Sequence, residues 1–253
     1  MTEARGARAT VADRDWCAGA LRDDGFCATE RILTPPQLAA ARDAADRLLA
    51  GYGASSEYGV ISLDAWRREP VLRELLPSVA RVARDLMGLP EVLVFQDLVI
   101  DKPSTATAPL PYHQDQSYLP LDRDDGLVAW VALDDADAER GCLHYAGGTH
   151  RLGARRPARF SDAPQRDPHL PPIEINGRAV VAVAVQAGQA LFHSPLVWHG
   201  SPPNSTALPR RAWSIYFLHP DVRWAPDRAA HPYLLELAPM AGARVAGERF
   251  PRF

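Results

Sequence analysis

Lysine is all but missing from this chain: of its 28 lysine and arginine residues, only Lys102 is lysine. Alanine and proline are abundant beside the arginines. That bias fits a GC-rich genome, such as that of an actinobacterium, and says nothing about chemistry. Cysteine is scarce too. Cys17, Cys27 and Cys142 are odd in number and lack metal-site spacing, which argues against a disulfide scaffold and fits a reducing, cytoplasmic setting. No apolar run approaches the about 20 residues that a membrane helix requires. The stretch from Met1 to Arg14 carries charges of both signs and no apolar segment, so no secretory signal is expected. Neither charge sign dominates, the net charge being −3, which excludes a strongly basic nucleic-acid binder. Hydrophobic residues make up 47%, which excludes global disorder. The 253 residues suffice for one large domain, or at most two small ones, enclosing a cavity. Neither nucleic acid nor a membrane is an expected partner.

The first ninety residues read as mostly helical. Thr34 caps a helix with Pro35 in its first turn and Gln37 three residues on; Leu38, Ala41, Ala45, Leu48 and Leu49 follow at helical spacing. A second helix is predicted over Pro70 to Met87 with Gly88 as its stop, kinked or split at Pro77. The period then changes. Val92 to Ile100, Gly126 to Leu133, Cys142 to Tyr145, Ala179 to Val185, Ala190 to His193 and Ala212 to Leu218 are short and rich in β-branched and aromatic residues. Strands after a helical lead indicate a β-sandwich or barrel with helices on one side. No glycine-rich loop joins a strand to a helix, so a nucleotide-binding fold has no support. Leu152 to Pro172 is rich in proline and arginine without periodicity, the mark of an active-site lid or a disordered excursion.

The strongest local signal is Tyr112-His113-Gln114-Asp115-Gln116. In an extended segment His113 and Asp115 point the same way, and imidazole plus carboxylate suits a metal such as ferrous iron. A third ligand has to come from His144, His150, His169, His193, His199, His219 or His231. His199 stands out by its context, between two strand-like segments and followed by Gly200, Ser201 and Asn204. Two histidines and one carboxylate leave three positions of an octahedral iron open, enough for a bidentate 2-oxo acid and dioxygen. The far carboxylate of such a co-substrate calls for an arginine, whose fork pairs bidentately. Arg210 and Arg211 lie a short way beyond His199.

At these residues the chain resembles the phytanoyl-CoA dioxygenase family of iron(II)/2-oxoglutarate-dependent oxygenases, over nearly its whole length. The resemblance rests on Asp24-Gly25-Phe26, Lys102-Pro103, His113-Gln114-Asp115, Ala129 to Asp135, Glu139 to Leu143, Gly147 to His150, His199-Gly200-Ser201, Asn204 and Arg210, in that order. It implies His113, Asp115 and His199 as iron ligands, and Arg210 and Ser201 as partners of the distal carboxylate of 2-oxoglutarate. Trp130 and Leu98 would line the cofactor pocket, and Gln96 would reach cofactor or substrate, although an ordinary strand amide is the plainer reading. Alternation in the following strand agrees with Arg210: Arg210, Ala212, Ser214 and Tyr216 share one face, while Arg211, Trp213, Ile215 and Phe217 share the packing face. Gly188-Gln189 and Gly147-Gly148-Thr149-His150 depart from the family's usual pattern. Asp115 stands where related halogenating enzymes carry a small residue, which favours oxygen transfer.

The resemblance implies a mainly β fold with flanking helices: a double-stranded β-helix, or jelly roll, buttressed by N-terminal helices. One domain would cover 1–253, with a helical lead over 1–90, a β core over 91–220, a lid over 152–172 and a C-terminal extension over 221–253. The implied activity is iron(II)- and 2-oxoglutarate-dependent oxidation of a small organic molecule, with O2 as second co-substrate. Hydroxylation in bacterial secondary metabolism is the preferred form. A redox-neutral metal isomerase and a non-catalytic binding barrel stay open as alternatives. The remaining singled-out residues have plainer readings: His144 and His150 as strand-end histidines, His193 as a core histidine, Cys142 as a small buried residue. Tyr118, Trp198 and Trp213 are read as core packing before pocket lining.

Overall fold

The computed structural model describes residues 14–50, 59–103, 108–155 and 174–253. Its helices are α1 (Arg14–Asp23), α2 (Pro35–Leu49), α3 (Ala65–Arg68), α4 (Pro70–Met87) and α5 (Pro232–Leu237). Its strands are β1 (Phe26–Arg31), β2 (Val60–Leu63), β3 (Leu93–Asp101), β4 (Leu110–His113), β5 (Leu127–Ala132), β6 (Leu143–Ala146), β7 (Glu174–Ile175), β8 (Arg178–Val183), β9 (Gln189–His193), β10 (His199–Ser201) and β11 (Arg211–Leu218). They form two antiparallel sheets, β1-β9-β5-β11-β3-β2 and β4-β10-β6-β8-β7. This is the expected jelly roll.

Strand alternation decides which side chains meet the helices and which enter the barrel. On the outer face of the six-stranded sheet, Ala129, Val131, Phe192, Trp213, Ile215 and Phe217 form one core. Leu48 of α2 and Leu72, Leu76 and Val79 of α4 complete it. On the inner face, Phe26, Trp130, Leu191 and Ala212 meet Leu143, Tyr145 and Val183 from the smaller sheet. Trp213 therefore packs against helices and points away from the barrel interior. The C-terminal extension plugs one end: Trp224, Tyr233, Val245 and Phe250 surround Phe95.

Helix α2 begins as predicted, with the Gln37 side chain accepting from the Thr34 N–H at 2.9 Å. Helix α4 also matches its predicted span and ends in left-handed Gly88 (φ 64°). It runs through Pro77 without dividing. Two strands were not predicted within the helical lead. β1 joins the edge of the large sheet by pairing with β9, and β2 pairs with β3. Both are short, and neither carries a long alternation in its own sequence; their partners hold them extended. Most of the predicted lid, residues 156–172, lies outside the described residues.

Candidate metal centre

β4 and β10 carry the two histidines to the same point. They pair with His199 opposite His113, and Gly200 permits the approach: a Cβ there would sit 2.7 Å from the Leu110 carbonyl oxygen. β4 ends at His113, so the predicted extended run to Asp115 is one residue long. Gln114 keeps extended dihedrals (φ −115°, ψ 128°), and Asp115 opens a 3-10 turn. That single extended step is enough to bring His113 and Asp115 to one side.

Ligand atoms of His113, Asp115 and His199 all lie within 4.8 Å of one another, and all three residues are buried. His113 Nε2 is 3.6 Å from Asp115 Oδ1, and His199 Nε2 is 3.8 Å from Asp115 Oδ2. The other ring nitrogens face backbone carbonyls: His113 Nδ1 is 2.8 Å from the Pro111 oxygen and His199 Nδ1 is 3.1 Å from that of Val197. A carbonyl only accepts, so each Nδ1 carries a proton and each Nε2 is the atom that faces Asp115. Burial pushes the His199 imidazole down to about 3, against the pull of Asp115. Burial alone would raise the Asp115 carboxyl, but His199, His113 and His193 hold it well below the usual range. A neutral His199 imidazole beside an ionised carboxylate suits a metal ion. The donor set fits ferrous iron.

Beyond the histidines lies a cationic end. Arg210, immediately before β11, is 3% exposed, its Nε is buried with no hydrogen-bond partner among the described residues, and its guanidinium carbon sits 5.4 Å from the centre of the Trp130 ring. Lys102 is 1% exposed, and its Nζ donates to Ser201 Oγ at 2.9 Å and to the Ser201 carbonyl at 3.2 Å. Burial, with Arg210 adding to it, pushes the Lys102 amine down to about 6. Burial lowers the Arg210 guanidinium to about 10. Among the described residues neither forms an ion pair with a carboxylate. A buried guanidinium beside a buried amine that an arriving carboxylate would charge forms a cradle for an anion. Asn204 donates to the Lys102 carbonyl at 2.8 Å and so holds the Lys102 backbone in place.

Ser201, Trp130 and Arg210 thus come together, with Ser214 opposite Trp130 and Leu98 on adjacent strands. Gln96 lies opposite Tyr216, and its Oε1 is 2.8 Å from His231 Nε2, which ties it to the C-terminal extension. Arg211 is engaged elsewhere, with Asp134 at 2.8 Å and with Asp46. Sequence reasoning placed Lys102 in a motif without giving it a site role; its being the only lysine was the available signal. His144 bonds the Tyr112 hydroxyl at 3.1 Å, and His150 lies 3.2 Å from the Arg22 carbonyl oxygen. All three cysteines are buried, and Cys17 donates to the Ala28 carbonyl at 3.4 Å. Gln114 clamps the start of the proline-rich stretch, donating to the Gly153 carbonyl and accepting from the Arg155 N–H.

The family model for phytanoyl-CoA dioxygenase (PhyH) matches residues 21–212. The chain belongs to the phytanoyl-CoA dioxygenase family. It is 28% identical over 156 residues to the peroxisomal phytanoyl-CoA dioxygenase of Homo sapiens, an alignment covering 59% of this chain and 46% of the human protein. The chain spans about half the length of the curated relatives it matches. Among solved family-like structures, the non-heme alpha ketoglutarate dependent carbocyclase SnoK from nogalamycin biosynthesis is 26% identical with a TM-score of 0.78, covering 96% of this chain and 99% of SnoK. The epimerase SnoN, solved in complex with Fe3+, alpha ketoglutarate and nogalamycin RO, is 27% identical with a TM-score of 0.77, covering 94% of this chain and 98% of SnoN. No described helix is long and apolar enough to cross a membrane.

Proposed function

We propose that this protein is an iron(II)- and 2-oxoglutarate-dependent oxygenase that oxidises a small organic molecule, with hydroxylation as the outcome. The observation that carries the reading is the pairing of two complementary sites in one barrel. A buried His113–Asp115–His199 donor set is followed by a buried cradle of Arg210, Lys102 and Ser201. In this assignment His113, Asp115 and His199 hold iron(II), and Arg210 with Ser201 receives the distal carboxylate of 2-oxoglutarate. Lys102 adds a second cation there. Trp130 supports the Arg210 guanidinium from its ring face, and Leu98 walls the space between the two ends.

Bound iron supplies the activation of O2, with 2-oxoglutarate as the two-electron reductant. The chain's own residues hold and orient. His113 and His199 are locked by backbone carbonyls in the metal-binding tautomer, and Asp115 is kept ionised by its neighbours. Gln96, steered by His231, leaves its amide nitrogen without a partner among the described residues, and we assign it to the substrate side. SnoK and SnoN, both from nogalamycin biosynthesis by their descriptions, support a tailoring step in bacterial secondary metabolism. SnoN, an epimerase by its description, favours a second outcome on the same site: hydrogen abstraction without oxygen insertion.

Anaerobic addition of iron(II) and 2-oxoglutarate to the metal-free protein, followed by visible absorption, tests the assignment. A weak metal-to-ligand charge-transfer band is expected, and it should vanish in Arg210→Ala at limiting co-substrate. Iron binding without the band would favour a redox-neutral metalloenzyme. No iron binding would leave a non-catalytic barrel.

A further inference from the structure

The barrel interior holds another imidazole that the ligand set leaves unused. His193 closes β9 and is 1% exposed. Its Nε2 lies 3.1 Å from Asp115 Oδ2, and its Nδ1 lies 3.0 Å from the Tyr145 hydroxyl oxygen. An ionised carboxylate only accepts, so Nε2 carries the proton. In the neutral ring Nδ1 then accepts from the Tyr145 O–H. The chain of donors has one direction: Tyr145 to His193 to Asp115. Tyr145 is itself held from behind by Phe26, the two rings stacked with centroids 4.4 Å apart. The second carboxylate oxygen, Oδ1, accepts from the Tyr216 hydroxyl at 3.0 Å. Both oxygens of Asp115 are therefore fixed by buried donors on the six-stranded sheet, while β4 and β10 of the other sheet supply the two histidines.

This arrangement also explains why His193 is no fourth ligand. The nitrogen that would bind a metal is already committed to Asp115. Without that donor a buried carboxylate is free to turn toward either ligand histidine, and the cost of reorienting it falls on metal binding.

We infer that His193 is a positioning residue of the metal centre, which with Tyr145 behind it holds the Asp115 carboxylate in its ligating orientation before any metal arrives. The inference rests on the assignment of His113, Asp115 and His199 as ligands. The experiment is a Mn(II) titration, read by the electron paramagnetic resonance of the free ion, on wild type, His193→Ala, His193→Gln and Tyr145→Phe. His193→Ala should weaken Mn(II) binding by about 10- to 100-fold. His193→Gln, whose amide N–H can serve the same oxygen, should recover most of that affinity despite an equal or greater packing defect in metal-free thermal unfolding. Tyr145→Phe keeps the stacked ring and removes only the hydroxyl, so its loss should be smaller than that of His193→Ala. If His193→Ala does not fold, Tyr145→Phe carries the test, together with nitrogen-15 shifts of His193 in the metal-free protein. Those shifts should report the Nε2–H tautomer in wild type. Wild-type affinity in Tyr145→Phe and His193→Ala, no recovery in His193→Gln, or an Nδ1–H tautomer would overturn the inference. A wild-type protein that binds no Mn(II) would overturn the metal assignment beneath it.

Discussion

The two ends of the barrel interior solve opposite electrostatic problems. At the metal end Asp115 is surrounded by His113, His199, His193 and Tyr216, and both proposed ligand histidines are tied to carbonyls. At the cationic end Lys102 donates to Ser201 and Arg210 lies over Trp130, and among the described residues neither forms an ion pair, although Asp101 and Asp134 act on Arg210 from further off. The metal end is prepared and waits for a cation that its geometry already suits. The cationic end holds a buried guanidinium beside an amine that burial and that guanidinium have pushed down, a pair an incoming carboxylate would charge fully. Preorganisation is built differently in the two places, by hydrogen bonds to a carboxylate in one and by the burial of two basic groups in the other.

That contrast can be broken from either side. The largest effect is expected from Asp115→Ala, which removes the only anion among the three ligands and leaves His193 and Tyr216 pointing at a void. Metal binding should fall below detection in equilibrium dialysis, and 2-oxoglutarate turnover should vanish with it. Arg210→Ala comes next. It should raise the 2-oxoglutarate KM by about 100-fold, the scale for truncating one partner of a buried charge pair, and leave Mn(II) affinity at the wild-type value. An equal loss of both affinities would show that the two ends are not separate.

Lys102 sharpens the comparison through pH. Its amine sits at about 6 in the protein without an anion. An arriving carboxylate restores the charged form, so binding takes up a proton above that value. The 2-oxoglutarate affinity of the Mn(II)-loaded protein should be flat below pH 6 and fall as pH rises beyond it, approaching about tenfold per unit. Calorimetry in two buffers of different ionisation enthalpy should register the proton uptake, and Lys102→Met should abolish both signals. Ser201→Ala should have the smallest effect, a rise in 2-oxoglutarate KM of about threefold to tenfold, the worth of one neutral hydrogen bond.

The barrel was legible wherever a strand carried its own pattern. β3, β5, β9 and β11 are long enough, and β-branched and aromatic enough, to announce themselves, and the alternation in β11 sorts Trp213, Ile215 and Phe217 onto the helix-facing side. β1 and β2 were not legible, because an edge strand of a few residues is made by its neighbour; Phe26 is extended because His193 lies opposite it. The same limit governs the site. His113, Asp115, His199 and Arg210 announce themselves by residue type and order. Contacts such as His193 with Asp115, or Gln96 with His231, join residues 78 and 135 positions apart and exist only after the sheets close.

The scarcity of lysine has a practical corollary. Apart from the terminal amine, an amine-selective acylating reagent has one target in the whole chain, and that target is buried beside the co-substrate cradle. A depressed amine is also a nucleophile near neutral pH. A small reagent that reaches Lys102 would therefore leave a single mass tag whose rate of appearance reports whether the cradle is filled, turning a quirk of composition into an occupancy gauge that requires no engineered label.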